Sequence, residues 1–287
     1  MDKSFETLQQ QIIRLKKQKP EHKELLSFYE NILEAQSIIR PSIKVAPLSV
    51  NEDFMKIQIK EGFPLITKDE FVFDIASAVE LFESLCKIGK NATVIMFDEI
   101  GKIEYAIGSG MIKLDTLLKN QFNNAYLDGI IKEFNLNKVI LYFLVHMSIR
   151  PFLYAFAEQA SHLVDQKTWL RGYCPICGSL PQISSIGGDG KRYYLCSLCG
   201  FEWHAERLKC PVCENMDQAS LHFFSVEEQK ALRIDICDKC KHYIKTIDTR
   251  HLEYETDLYL EDIITSHLDI LATQKGYKRP VFSPWGQ

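Results

Sequence analysis

Eight of the nine cysteines in this chain stand in four Cys-x-x-Cys pairs: Cys174/Cys177, Cys196/Cys199, Cys210/Cys213 and Cys237/Cys240. Two residues between cysteines let both thiolates face one ion from a single tight turn, and a tetrahedral site takes two such turns. Four tandem pairs therefore point to two closed four-cysteine metal sites. A thioredoxin-type dithiol would instead need one pair at a helix start. Sequential grouping assigns Cys174, Cys177, Cys196 and Cys199 to one site and Cys210, Cys213, Cys237 and Cys240 to the other. A crossed grouping, first pair with third and second with fourth, stays open, although it gives the intervening hairpins no role. Four thiolates leave no coordination position for water, which argues against hydrolytic zinc chemistry. An all-sulfur tetrahedron suits zinc and a single iron alike, so both metals stand.

The segments between the pairs must return the chain to the metal. In the first unit, arms near 181–186 and 191–195 flank a Gly187-Gly-Asp-Gly190 turn, and a third arm runs from Phe201 to Arg207. The second unit repeats this with arms near 219–225 and 230–236, a turn at Val226 to Gln229, and a third arm from Tyr243 to Ile247. This is an internal duplication of a rubredoxin-like or zinc-ribbon module. Units of about forty residues bury too little surface to fold alone, and metal is their usual staple. Gly178 and Gly200 follow the second cysteine of a pair, where positive φ suits glycine. Glu214 and Lys241 take that place in the second unit, which is expected to be more strained and more labile.

Upstream, the pattern is helical. Phe5, Leu8, Ile12 and Leu15 recur at helical spacing, as do Leu25, Phe28, Ile32 and Leu33, giving helices over 4–18 and 21–39 with Pro20 between and Pro41 at the end. Leu48 to Glu61 reads as an irregular connector. Thr67-Lys-Asp-Glu70 has the capping-box pattern and opens an expected helix over 68–88, closed by Gly89. Further helices are expected at 92–98, 110–121, 124–133 and 136–163. The fold class is thus α+β and multidomain: an all-α domain over 1–165, four-cysteine modules over 166–208 and 209–250, and a C-terminal helix and tail over 251–287. The helix is placed at 257–274, and Pro280 to Gln287 reads as a loose end.

Composition limits the function classes. Hydrophobic residues make up 46% and charged residues 25%, which suits packed cores, and the formal charge of -4 shows no overall basic character. Residues 166–250 hold twelve Lys/Arg against ten Asp/Glu, far from the basic footprint of a nucleic-acid module. The charged N-terminus lacks a secretory h-region, and the apolar run Val139 to Ile149 is short for a bilayer before Arg150 and Pro151 interrupt it. A cytoplasmic setting is expected, where clustered thiols serve as metal ligands more often than as disulfides. Cys86 reads as a small buried residue and His146 as a satisfied core histidine. His204, His222 and His242 read as neighbours of complete thiolate sites, and Gly187 to Lys191 as a hairpin turn that lacks the full phosphate-loop pattern.

Several stretches resemble the formate dehydrogenase accessory protein family, FdhE. They are Cys174-Pro-Ile-Cys177-Gly-Ser-Leu-Pro181, Arg192-Tyr-Tyr-Leu-Cys196-Ser-Leu-Cys199, Glu202-Trp203-His204 and Arg207-Leu-Lys-Cys210. Cys237-Asp-Lys-Cys240 with Tyr243-Ile-Lys245 and Gly276-Tyr277 continue the resemblance, which covers about 170–280. Upstream it rests on helical character and on Arg150-Pro-Phe-Leu153. The second unit departs at Glu214 and Lys241. The resemblance implies an all-α domain followed by two rubredoxin-like modules, and a non-catalytic maturation factor in the cytoplasm. It implies association with the catalytic subunit of formate dehydrogenase before export, and iron beside zinc at the cysteines. Trp203, His204 and Arg207 are candidates for the partner surface or for the joint between modules. The competing classes are a rubredoxin-like iron redox protein and a nucleic-acid-binding zinc-ribbon protein.

Overall fold

The structure is a computed structural model that describes residues 4–45, 52–68, 71–225 and 229–283. Two compact units share the chain, one formed by Lys3–Ala46 with Lys68–Ala155, the other by Pro47–Thr67 with Phe156–Gln287 and the first two residues. Their division departs from a single boundary at 165. Residues 62–66 run along the first cysteine knuckle, where Leu65 N donates to Pro175 O at 2.9 Å and Ile66 N to Ile176 O at 3.0 Å.

The first unit is helical. Helices α1 (Phe5–Gln18) and α2 (Lys23–Ile39) bury Ile12, Leu15, Leu26, Tyr29, Ile32 and Leu33. Helix α4 (Ile75–Lys90) starts later than expected. Its N-cap is Asp74, whose carboxylate accepts from Ala76 N at 3.0 Å, so the Thr67 capping-box reading is corrected. Asp69 and Glu70 of that box lie outside the described residues. Before the cap, Phe71 and Phe73 stack with centroids 5.6 Å apart, and Phe73 meets Phe152 at the same separation. Gly89 does not end α4 but lies inside it, where a Cβ would come within 2.5 Å of Ile100 Cδ1. Helix α5 (Val94–Gly108) runs well beyond the expected 92–98, followed by α6 (Leu114–Lys119) and α7 (Asn124–Phe134).

Helix α8 (Lys138–Ala160) passes straight through Pro151. Proline has no amide hydrogen, so the carbonyl of Met147 loses its helical donor. Gln36 of α2 replaces it, with Nε2 donating to Met147 O at 2.8 Å. Arg150 is buried there, donating to Tyr154 Oη at 2.6 Å and lying 4.7 Å over its ring. With its short 3-10 extension, the helix Lys138–Leu163 is long and apolar enough to cross a bilayer, contrary to the reading that it is too short. However, 72% of its apolar window is packed inside the protein, as in a core helix.

The second unit contains α3, the sheet and the last two helices. Residues 52–60, expected to be irregular, form α3 (Glu52–Lys60), which buries Met55 and Ile59 one turn apart. Six strands follow: β1 (Pro181–Ile186), β2 (Arg192–Cys196), β3 (Glu202–Ala205), β4 (Leu221–Ser225), β5 (Leu232–Cys237) and β6 (His242–Asp248). Each module contributes an antiparallel three-stranded meander. The two join into one sheet, in the order β3-β2-β1-β6-β5-β4, through parallel pairing of β1 with β6, Ser184 opposite Thr246. The turn at 226–228 lies outside the described residues.

The C-terminal helix is two helices, α9 (Leu258–Ile264) and α10 (Ser266–Gln274), broken at Thr265. The break has a chemical cause. Lys245 of β6, fully buried, sends its ammonium to Asp262 O at 2.7 Å, the carbonyl that an unbroken helix would give to Ser266 N. Leu258, Leu268 and Ala272 of these helices pack on Ile183, Leu195, Leu232, Ile234, Tyr243 and Ile247 on one sheet face. The chain beyond them is anchored as far as Ser283, which is buried, and Arg279 is held in a buried ion-pair network. The loose end expected from Pro280 onward is corrected to that extent, and residues 284–287 lie outside the described residues.

Candidate metal centres

Each knuckle is a tight turn closed by its own backbone. Gly178 N donates to Cys174 O at 2.9 Å, and Cys174 N to Ser179 O at 2.9 Å. In the second module, Glu214 N donates to Cys210 O at 3.0 Å and Cys210 N to Asn215 O at 2.9 Å. The turns require left-handed backbone at the residue after the second cysteine. Gly178 (φ 70°), Gly200 (φ 66°), Glu214 (φ 54°) and Lys241 (φ 57°) all adopt it. Glutamate and lysine pay for this with strain of about 1 kcal/mol each.

The eight sulfurs gather in the sequential grouping. Cys174, Cys177, Cys196 and Cys199 form one cluster, and Cys210, Cys213, Cys237 and Cys240 the other, with the ligand atoms of each within 4.8 Å of one another. A sulfur tetrahedron around an ion with bonds of about 2.3 Å has edges of about 3.8 Å. The first cluster has sulfur separations of 3.6 Å (Cys174–Cys199), 3.5 Å (Cys177–Cys196) and 3.6 Å (Cys177–Cys199). The second has 3.6 Å (Cys210–Cys240) and 3.7 Å (Cys213–Cys237). Disulfides are excluded by these distances. The donor set and spacing fit a tetrahedral thiophilic cation.

Electrostatics support the same fit. Burial pushes the Cys174 and Cys199 thiols up, while hydrogen bonds from its neighbours, Cys174 first, pull Cys177 well down. Burial also pushes Cys240 up to about 11. Four crowded thiols thus resist ionising together, and a bound cation reverses that balance. The clusters differ in access. All four cysteines of the first are buried, whereas Cys213 and Cys240 of the second are partly exposed. Backbone N–H groups of Leu198 and Cys199 point at Cys196 Sγ, at 3.4 and 3.5 Å, and Asn215 Nδ2 lies 3.7 Å from Cys237 Sγ.

The joint between modules centres on residues 170–172. Lys209 Nζ donates to Leu170 O at 3.1 Å, Trp203 Nε1 to Arg171 O at 3.2 Å, and Gly172 N to Glu214 Oε1 at 3.3 Å. A Cβ on Gly172 would lie 2.2 Å from Pro211 O, so only glycine lets the two backbones meet. Glu214 also pairs with Lys209 at 3.4 Å and Arg171 at 3.6 Å. Its side chain is the reason a glutamate occupies a position whose backbone suits glycine.

The three candidate partner residues separate. Trp203 is fully buried, edge-on to Tyr194, and has no surface to offer a partner. His204 is half-buried against Tyr193, and Arg207 is exposed. His222 pairs with Asp238 at 3.4 Å, and His242 Nδ1 contacts Cys240 O at 2.9 Å, so both are cluster neighbours. Gly187 to Lys191 is a hairpin turn, with Lys191 N donating to Asp189 Oδ1 at 3.0 Å. Cys86 is buried, and burial pushes its thiol up to about 12. His146 is held down to about 4, first by burial and then by Arg150, and its buried Nε2 has no hydrogen-bond partner among the described residues, so the satisfied-histidine reading is corrected.

Sequence reasoning missed the network that clamps α9 and α10 to the sheet. Lys245 pairs with Asp262 at 2.8 Å and Asp269 at 2.7 Å, and Arg279 with the same two at 2.7 and 2.8 Å. Tyr243 donates to Asp269 at 2.6 Å. Two cations against two anions balance the buried charge. Tyr243, Lys245 and the nearby Gly276-Tyr277 are residues that carry the family resemblance, and their chemistry is now visible. Tyr277 donates to Asp238 Oδ1 at 2.8 Å, beside the second cluster.

Comparison with known proteins gives a consistent result. The description "FdhE, central domain" matches residues 173–207, and "FdhE, C-terminal domain" matches 208–285. An FdhE homologue from Aquifex aeolicus is 28% identical over 267 residues, 92% of this chain and 88% of that protein. FdhE from Escherichia coli O127:H6 is 36% identical over 119 residues, which span 40% of this chain and 38% of that relative. The crystal structure of FdhE from Pseudomonas aeruginosa superimposes with a TM-score of 0.66 at 21% identity, covering 96% of this chain and 93% of that one, and so shares the fold. Helices followed by a duplicated four-cysteine ribbon define the class. Residues 173–285 carry the two FdhE domains, and the likeness to FdhE proteins extends over most of the chain.

Proposed function

We propose that the protein is an accessory factor in formate dehydrogenase maturation, acting without catalysis of its own and holding the catalytic subunit in the cytoplasm before export. The observation that carries this reading is the pair of FdhE domains, contiguous over 173–285, with both four-cysteine clusters complete. Zinc or iron bound by the eight cysteines would supply a crosslink between knuckles, stabilising such units by about 10–16 kcal/mol each. The thiolates fill their tetrahedra, so the chain offers display rather than hydrolysis. Rigid ribbons suit a holding role because a preordered surface loses little conformational entropy on binding.

Affinity purification of the tagged protein from its native host tests this. The catalytic subunit of formate dehydrogenase is expected to co-purify, and to be lost when both clusters are disrupted by Cys177→Ser with Cys213→Ser. Recovery of the intact protein without that subunit, from cells that make the enzyme, would contradict the reading.

A further inference from the structure

The sheet face opposite α9 and α10 carries a cavity of about 180 Å³, walled by β4, β5 and β6, by Arg192 of β2, and by the segment 207–212 that links the modules. Cations collect there although the chain as a whole is acidic. Arg192 and Arg233 share a single carboxylate, Asp235, each at 3.0 Å, which leaves one positive charge in excess. Arg192 is 3% exposed, and its Nε has no hydrogen-bond partner among the described residues. Arg207 adds a further guanidinium, exposed and without an ion pair among the described residues. Apolar surface lies beside these charges. Leu208 and Phe223 are 55% and 61% exposed, and Arg233 stacks 4.9 Å over the Phe223 ring. Finally, β4 is an edge strand that pairs only with β5 among the described residues.

We infer that this cavity docks an extended acidic segment of a partner polypeptide, a carboxylate meeting Arg207 and the Arg192–Arg233 pair while a neighbouring apolar side chain covers Leu208 and Phe223. Guanidinium groups favour carboxylates through charge-assisted, two-pronged hydrogen bonds. An inorganic anion would satisfy the charges and leave the apolar rim bare. An extended chain does both and can also lie along the edge strand. The inference specifies the chemistry of the contact and does not depend on formate dehydrogenase being the partner.

The test uses the intact, metal-loaded chain and a fluorescent, end-capped octapeptide of two glutamates followed by two leucines, repeated once. Either face of that peptide, when extended, alternates acid and apolar groups. Saturable binding is expected from anisotropy, weakened at least about tenfold by Arg207→Glu and separately by Leu208→Asp. Both positions are exposed, so folding is retained and is checked by circular dichroism. Lys167→Glu makes the same charge change at an exposed residue outside the cavity and is expected to alter affinity by less than about twofold. The same peptide with lysine in place of glutamate should not bind. Absence of saturable binding, or equal weakening by Lys167→Glu and Arg207→Glu, would overturn the inference. So would self-association that Arg207→Glu abolishes in place of peptide binding, which would assign the face to a second copy.

Discussion

Lys241 shows how a single residue sets the character of a site. Its backbone sits at φ 57° in the turn that closes the second cluster, and its side chain pairs with the half-buried Asp238 and lies 5.3 Å over the Tyr277 ring. Lys241→Gly and Lys241→Ala remove the same side-chain contacts and differ only in tolerance of that φ. The glycine variant is expected to be the more stable by about 1 kcal/mol, because alanine retains the left-handed penalty. Denaturant unfolding of the metal-loaded protein measures it, and an alanine variant equal to or above glycine would contradict the strain argument. The cysteines and knuckle positions were legible in the sequence because spacing alone specifies them. Lys245 was not, since a lone lysine in a strand of alternating residues reads as exposed. Its partners, Asp262 and Asp269, which Arg279 also pairs with, become visible only when α9 and α10 fold back onto β6. Trp203 was placed among surface candidates because an aromatic near a knuckle reads equally as anchor or core, and its full burial, with the hydrogen bond to Arg171 O, decides it.

At the level of elements, the departures from expectation share a cause: a local signal overruled by a distant contact. Helix α3 was hidden because two of its apolar residues, Phe54 and Ile57, face outward at 58% exposure each, while Met55 and Ile59 carry the packing. The start of α4 moved because Phe71 and Phe73 stack in an extended segment, which leaves Asp74 to cap the helix. Helix α8 survives Pro151 because Gln36 supplies the missing donor. Gln36→Leu keeps the volume and removes that hydrogen bond, and a loss of about 1 kcal/mol is expected in thermal or urea unfolding followed by far-ultraviolet circular dichroism. Stability unchanged from the wild type would show that the proline is accommodated in another way.

Across the whole molecule, the two hairpins and the duplicated ribbon were readable from the repeat of pairs and arms. Their fusion into one six-stranded sheet was not. Parallel pairing of β1 with β6 joins residues about sixty positions apart, and neither strand's alternation names its neighbour. The fusion makes one surface from two modules and puts the Arg192–Arg233 cavity across their joint. Metal analysis of the purified chain, paired with a thiol-reactivity count, tests whether two tetrathiolate sites hold this surface in place. Two ions of zinc or iron per chain are predicted, with the eight paired cysteines protected from a thiol reagent until a chelator is added. Protein that stays folded with less than one ion per chain and all eight thiols freely reactive would contradict it.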